Sequence, residues 1–385
     1  MVPSEQRHPP PSAAAPPAAA AAAGTPYSGA GAAGDGQVVG GAGGQGAGRG
    51  VGGGVQGGGQ VLRRVTPVGR SGRLLCWGQR TLVMGILNIT PDSFSDGGRL
   101  LRGLGEGEGE GGGGEGQLCV AALVENALEM VRQGVDVLDM GGQSTRPGAP
   151  LVPEAQELAR VLPAIRALRA TPGLEQVVVS VDTFNAQVAR QAVAAGADMV
   201  NDVSGGALDP RMLPQVAELG VPLVLMHMRG DPGSMQQPQH TSYGCVWREV
   251  AQELQAAADR AMAAGIPAWN IILDPGVGFA KTAEGSLELI RHLPDMRQVL
   301  QGAYRAGPLL VGPSRKGFLG KLTGRQRAEE RDAATVAACT ACVAHGADVV
   351  RVHNVRDNVD AVRVADAVWR CGRGLRPGHC HVDEA

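Results

Sequence analysis

The sequence predicts an α/β protein, a closed (β/α)8 TIM barrel behind a disordered N-terminal tail. Three observations carry this expectation. Eight short, nearly continuous apolar runs recur after residue 73, as expected of strands buried on both faces of a parallel sheet. Longer stretches of helical period separate them. One joint also repeats: Gly134-Val-Asp136, Gly196-Ala-Asp198, Gly220-Val-Pro222, Gly265-Ile-Pro267 and Gly346-Ala-Asp348 each follow a helical run and precede a strand. Glycine in the left-handed position after a helix stops it at little steric cost, so the next strand begins at once. A joint repeated in this way implies a repeated β/α unit, and eight such units over about 300 residues close into a barrel. An open doubly wound sheet is the alternative. Its first strand usually leads into a Gly-rich phosphate loop, whereas here Asn88-Ile89-Thr90-Pro91 ends the strand.

In chain order, residues 1–60 are rich in Ala and Pro, then in Gly and Gln, and hold 18 of the 59 glycines. Such a segment has too little apolar surface to offset its ordering entropy. The expected organisation is a low-complexity tail over 1–72, the barrel over 73–371 and a second tail over 372–385. The strand runs are 81–88, 135–140, 177–182, 197–202, 222–228, 270–275, 308–312 and 348–353. Between the first two, 118–133 sets Val120, Val124, Ala127 and Val131 along one helical stripe. Residues 99–116 alternate Glu and Gly and form neither stripe nor strand. They read as a flexible insertion in the first strand-to-helix loop, where added length costs little.

Composition narrows the function. Aromatic residues make up 3% of the chain, too few for a platform that stacks single-stranded nucleic acid. A net charge of −2 argues against a general polyanion binder. No apolar run reaches the roughly 20 residues of a membrane span. Neither nucleic acid nor membrane is an expected partner. Seven cysteines, scattered and odd in number, read as reduced thiols of an intracellular protein. The N-terminus has isolated Arg7 and Arg49 with Glu5 and Asp35, unlike an Arg-rich presequence. The expected compartment is the cytoplasm, with the mitochondrial matrix as alternative.

A barrel of this kind does its chemistry at the C-terminal ends of its strands. Those ends carry Asn88, Asp139, Asp182, Asn201-Asp202, His227, Asp274, Ser314-Arg315-Lys316 and Arg351 with His353. Each alone reads as a loop cap; together they gather carboxylates, amides and cations on one rim. Asp182, Asn201 and Asp274 suit a ring that carries both donors and acceptors, such as an amino-pyrimidine. Lys316, Arg351 and His353 follow the last two strands, the usual phosphate site of this fold. Asn88 is placed to give Mg2+ one oxygen ligand, since that ion keeps water and phosphate oxygens for the rest.

Ordered blocks from about residue 80 to 370 resemble the dihydropteroate synthases. The first is Met84-Gly-Ile-Leu-Asn-Ile-Thr-Pro-Asp-Ser-Phe-Ser-Asp-Gly-Gly98, and the second Asp139-Met-Gly-Gly-Gln-Ser-Thr-Arg-Pro-Gly148. Then come Ser180-Val-Asp-Thr183, Val200-Asn-Asp-Val-Ser-Gly205, Leu225-Met-His-Met228, Leu273-Asp-Pro-Gly-Val-Gly-Phe-Ala-Lys281, Gly312-Pro-Ser-Arg-Lys-Gly317 and Arg351-Val-His353. One block is weak; the ordered set is specific.

The resemblance implies transfer of the (7,8-dihydropterin-6-yl)methyl group from its diphosphate to 4-aminobenzoate, giving 7,8-dihydropteroate and pyrophosphate, by a homodimer. It implies that Asp182, Asn201 and Asp274 hold the pterin. Thr145, Arg351 and His353, with Asn88 through Mg2+, would hold the diphosphate. Lys316 would bridge to the pterin. Ser314, Phe279, Pro147 and Phe94 would shape the aminobenzoate pocket, with Arg146 on the mobile second loop. Asp139, Asp182 and Lys316 are the implied catalytic residues: the C–O bond breaks first, and buried carboxylates stabilise the ring cation before the arylamine attacks.

Gln143 stands where many bacterial members have Glu, and the residues ahead of Arg73 cannot encode the pyrophosphokinase domain fused in plant and fungal members. The alternatives are a pterin-binding methyltransferase, which has no diphosphate to hold, and a non-catalytic pterin-binding homologue, which would have lost Asp182, Lys316 or His353. Cys339-Thr-Ala-Cys342 reads as buried helix rather than a redox motif, His379-Cys380-His381 as tail, and His227 as a pocket or core histidine, with the pocket margin preferred.

Overall fold

The computed structural model describes residues 64–69, 73–89 and 120–370 of the 385-residue chain. Phe94, the 99–116 insertion and the His379–His381 cluster lie outside the described residues. A hairpin comes first, β1 (Arg64–Val68) paired antiparallel with β2 (Arg73–Trp77). The barrel strands follow: β3 (Leu82–Asn88), β4 (Val137–Gly141), β5 (Val178–Asp182), β6 (Met199–Asp202), β7 (Leu223–Met226), β8 (Ile271–Asp274), β9 (Leu310–Val311) and β10 (Val349–Val352). They run parallel in the order β8-β7-β6-β5-β4-β3-β10-β9, and a parallel bridge between Leu273 and Leu309 joins the two ends. Seven of the eight expected runs contain one barrel strand each, and β4 runs one residue past the end of the eighth, 135–140.

Helices α1 (Val120–Arg132), α2 (Glu154–Ala170), α3 (Ala186–Ala195) and α4 (Met212–Leu219) follow β3 to β6 in turn. Helices α5 (Pro238–Thr241) and α6 (Val246–Ala263) follow β7, and α7 (Ala283–Arg291) and α8 (Leu293–Val299) follow β8. Helices α9 (Gly317–Thr323) and α10 (Asp332–Ala344) follow β9, and α11 (Val355–Trp369) follows β10. Among the described residues no helix is long and apolar enough to cross a membrane. Cys339 and Cys342 are buried in α10, and burial pushes the Cys342 thiol up to about 12.

The repeated joints do what their sequence implies. Gly134, Gly196, Gly220, Gly265 and Gly346 have φ of 96°, 123°, 67°, 103° and 93°. Where the joint is Gly-x-Asp, the aspartate has a second task. Oδ2 of Asp136, Asp198 and Asp348 accepts the N–H of Val83, Val179 and Leu309 at 2.9, 2.9 and 3.0 Å. Arg80, Arg169 and Arg297 pair with these carboxylates in the same order. The device ties neighbouring strands together at their N-terminal ends, the face of this fold concerned with stability.

The hairpin corrects the expected tail, because β1 falls inside 1–72. Val68, Leu75 and Trp77 pack into one buried cluster with Leu82, Met84, Val137, Val178, Met199, Val224, Ile272, Leu310 and Val349, which come from all the barrel strands. The hairpin therefore plugs the N-terminal end of the barrel. Trp77 Nε1 donates to Thr66 Oγ1 at 2.8 Å, and that hydroxyl donates to the Trp269 carbonyl at 2.5 Å. A second, larger core lies between the strands and the helices around them.

Candidate active site

Adjacent strands β4, β5 and β6 bring Asp139, Asp182 and Asn201 together, with Asp182 beside Asn201 in register. All three side chains are buried. Asn201 Nδ2 donates to Asp139 Oδ2 at 2.9 Å. Arg351 reaches in from β10: Nε donates to the same Asp139 oxygen at 2.6 Å, and Nη2 to Asp182 Oδ2 at 2.7 Å. The remaining oxygens, Asp139 Oδ1 and Asp182 Oδ1, are buried and have no hydrogen-bond partner among the described residues. Burial raises the Asp182 carboxyl above its ordinary range; the Arg351 charge opposes this and Asp139 adds to it. Two buried acceptors without donors suit a ligand edge rich in N–H groups.

A second group lies beyond the ends of β8 and β9. Lys316 Nζ donates to the Val277 carbonyl and sits 4.4 Å from the centroid of the Phe279 ring. Burial lowers the Lys316 ammonium to about 7, with the Asp274 carboxylate opposing. Burial likewise raises Asp274, with Lys316 opposing, and Asp274 Oδ1 accepts Gly276 N–H at 2.7 Å. Gly278 has φ of 81°, and a Cβ there would meet Lys316 Cδ at 2.9 Å, so the lysine stem crosses backbone that only glycine leaves open. Arg315, at φ 58°, is fixed by its N–H to Thr335 Oγ1 at 3.0 Å and by its guanidinium to Asp332 at 2.7 and 2.8 Å. That turn sets Ser314 and Lys316 at the rim.

Ser314 and His353 form a third group. The Ser314 hydroxyl accepts the His353 backbone N–H at 3.1 Å and lies 3.0 Å from His353 Nδ1. Donation from the hydroxyl to Nδ1 leaves the ring proton on Nε2. Burial, then the Arg315, Arg351 and Arg146 charges, lowers the imidazole to about 3 and keeps it neutral. The loop after β4 carries half-buried Thr145 and exposed Arg146 and Pro147, and Gly148 N–H donates to the Pro232 carbonyl at 3.0 Å. Half-buried Asn88 ends β3.

Three of the expected residues make contacts that the sequence does not show. Arg351, expected with the diphosphate, donates Nε and Nη2 to Asp139 and Asp182. The Ser314 hydroxyl is engaged by His353. His227 is buried between Glu253 and Lys281. Lys281, Gln236 and Tyr243, which grip the loop after β8, were not singled out from sequence. Lys281 ends the family-like block Leu273–Lys281, but nothing local marks Gln236 or Tyr243.

A closed parallel barrel with buried carboxylates and cations on its C-terminal rim belongs to a class of barrel enzymes that take a polar heterocycle. The family of pterin binding enzymes matches residues 113–353. A Synechocystis dihydropteroate synthase is 44% identical over 304 residues, 79% of this chain and 95% of that protein. The mitochondrial folate synthesis bifunctional protein of Arabidopsis thaliana is 45% identical over 312 residues, 80% of this chain. The chain spans 53% of the length of that plant relative. Among solved structures, the Xanthomonas albilineans dihydropteroate synthase with 4-aminobenzoic acid has 39% identity and a TM-score of 0.65, covering 81% of this chain and 100% of that one. The Burkholderia cenocepacia dihydropteroate synthase complexed with 7,8-dihydropteroate has 37% identity and a TM-score of 0.66, covering 81% and 98%. The chain belongs to the pterin-binding enzymes, in the dihydropteroate synthase family.

Proposed function

We propose that this chain joins 4-aminobenzoate to (7,8-dihydropterin-6-yl)methyl diphosphate, releasing pyrophosphate. The observation that carries the reading is the pair of buried oxygens, Asp139 Oδ1 and Asp182 Oδ1, with no partner among the described residues. The amino-pyrimidine edge of a pterin supplies the donors they lack. Asp274, with one oxygen held by Gly276, presents the other to the ring. When the C–O bond to the diphosphate breaks, positive charge spreads into the ring, and these buried carboxylates stabilise it at close range. Lys316, His353 through Nε2–H, Thr145 and Arg146 receive the departing diphosphate. The arylamine then attacks the methylene against the Phe279 ring, with Pro147 and Ser314 at the edge of its pocket, and the proton its nitrogen loses passes to the departing pyrophosphate or to water. No covalent nucleophile is required.

Half-buried Asn88 at the end of β3 offers one amide oxygen to Mg2+, and an ion there would draw its other ligands from substrate and water, as Mg2+ does. When bound it would offset charge on the leaving group.

The assembly reading is a homodimer. Val364, Val368 and Trp369 of α11 are exposed apolar residues that a partner would cover, and light scattering tests it. The compartment reading is the cytoplasm or the mitochondrial matrix, which fractionation of cells expressing the tagged chain separates. The activity is tested by pyrophosphate release from the pterin diphosphate with and without 4-aminobenzoate. Release that requires the arylamine, with dihydropteroate formed in equal amount, is the expected result. Absence of turnover with intact pterin binding would leave a non-catalytic binder.

A further inference from the structure

The loop after β8 is held by its carbonyl oxygens, one after another. Val277 O accepts from Lys316 Nζ, Gly278 O from Gln236 Nε2 at 3.2 Å, Phe279 O from Lys281 Nζ at 2.8 Å, and Ala280 O from the Tyr243 hydroxyl at 2.9 Å. Loops of this kind usually leave such groups to water. Ala280 has φ of 49°, a region that a residue with a Cβ rarely adopts. Such a residue persists where its surroundings over-determine it, and it marks sites of pre-organisation.

Lys281 is buried, which holds its ammonium well below the ordinary lysine range, and Nζ has three polar atoms within hydrogen-bond reach: Phe279 O at 2.8 Å, His227 Nδ1 at 2.9 Å and His227 O at 3.3 Å. With Nδ1 accepting, the imidazole proton is on Nε2, which donates to Glu253 Oε2 at 2.8 Å. Burial lowers His227 to about 4, which suits a neutral bridge between the lysine and the carboxylate. Arg229 Nε holds Glu253 at 3.1 and 3.2 Å, and its guanidinium lies 3.9 Å from the Tyr243 ring centroid. Tyr243 is the residue whose hydroxyl holds Ala280. The relay therefore closes on itself, from Phe279 through Lys281, His227, Glu253, Arg229 and Tyr243 to Ala280.

We propose that Lys281 is a positioning residue for the arylamine substrate: with the His227–Glu253–Arg229 relay it fixes the Phe279 carbonyl, and so sets the Phe279 ring beside Lys316 as a rigid wall for the aromatic acid. The proposal rests on the reading of Phe279 as part of the aminobenzoate subsite. A wall ordered in advance spares the substrate the entropy of ordering it. Lys281 touches neither substrate in this role, so its loss acts on the affinity for one of them.

Steady-state kinetics of the full chain, with each substrate varied in turn, tests this. Lys281→Met is expected to raise KM for 4-aminobenzoate by at least about tenfold while KM for the pterin diphosphate stays within about twofold. His227→Gln keeps an acceptor for Lys281 and a donor for Glu253, and is expected to retain a near-parental aminobenzoate KM; His227→Leu keeps neither and should resemble Lys281→Met. Tyr243→Phe removes one hydroxyl and leaves the ring, so it tests the grip on Ala280 even where Lys281→Met does not fold; its expected effect is about a threefold rise in the same KM. Phe279→Ala separates the two claims. If it leaves the aminobenzoate KM unchanged, the subsite reading is wrong. If it raises that KM while Tyr243→Phe and Lys281→Met do not, the subsite stands and the proposal is overturned. Equal rises in both KM values, or a lowered melting temperature alone, also overturn it, since they describe a merely structural group.

Discussion

Arg351 Nε donates to Asp139 Oδ2 at 2.6 Å, tying the last barrel strand to the second across the mouth of the barrel. Its Nη2 reaches Asp182 Oδ2 at 2.7 Å, so one guanidinium holds two buried carboxylates in place. Removing one partner of a buried ion pair leaves the other charged and uncompensated. Arg351→Met is therefore expected to destabilise the fold by about 3–5 kcal/mol, measured by denaturant unfolding at neutral pH. A loss below about 1 kcal/mol would place the network in solvent.

Asp182→Asn retains the shape and removes the acceptor charge at Oδ1. Pterin affinity should fall by about 1.5–3 kcal/mol, the contribution of a hydrogen bond to a charged group. Calorimetric titration with the pterin diphosphate measures it, and unchanged affinity would remove Asp182 from the ring site.

Lys316→Ala is expected to abolish most turnover with the barrel still folded. Burial holds this lysine at about 7, so at pH 8 much of it is neutral. A bound diphosphate favours the ammonium. Pyrophosphate binding at pH 8 should then take up a proton, seen by calorimetry in buffers of different ionisation enthalpy. Lys316→Ala should lose most of that uptake, and an equal uptake in the variant would assign the proton elsewhere.

Glu157 is buried in the first turn of α2, and burial raises its carboxyl from 4.5 to about 7. Between those values the folded chain binds more protons than the unfolded one, so this group's contribution to stability is present below pH 4.5 and is lost as pH rises through 7. Glu157→Gln should therefore gain stability relative to the parent across that window, by about 2–3 kcal/mol at most. Denaturation at pH 5 and pH 8 checks it; a constant difference would refute the shift.

Trp77 lies in the plug at the N-terminal end of the barrel, away from the rim. Trp77→Ala should cost about 3–5 kcal/mol of stability, with both KM values unchanged. Deletion of residues 1–70 removes β1 and should also lower the melting temperature, contrary to what a featureless tail over that span would give.

The barrel was legible because its signals are local. Each strand is an apolar run, each helix a stripe, and each Gly-x-Asp joint a short word whose φ the structure confirms at Gly134, Gly196 and Gly346. Strand β1 was not legible. Five residues with a proline carry no period, and their burial depends on barrel strands far along the chain. The rim residues Asp139, Asp182, Asn201 and Asp274 could be named because a barrel strand delivers its last side chains to one face, and Lys316 because it follows β9 on the loop at that face.

The sequence by itself determined the number of β/α units, the rim on which polar groups collect, and the residue types gathered there. Tertiary structure alone decided who pairs with whom. Arg351 and Asp182 are 169 positions apart, and only closure of the sheet turned that arginine toward the carboxylates. Lys281 and His227 are 54 positions apart, and their contact fixes the loop that carries Phe279. Periodicity arises from backbone geometry within a few residues, whereas hydrogen-bond partnership depends on where a folded chain returns in space. The first can be read along the chain, and the second exists only once the barrel has closed.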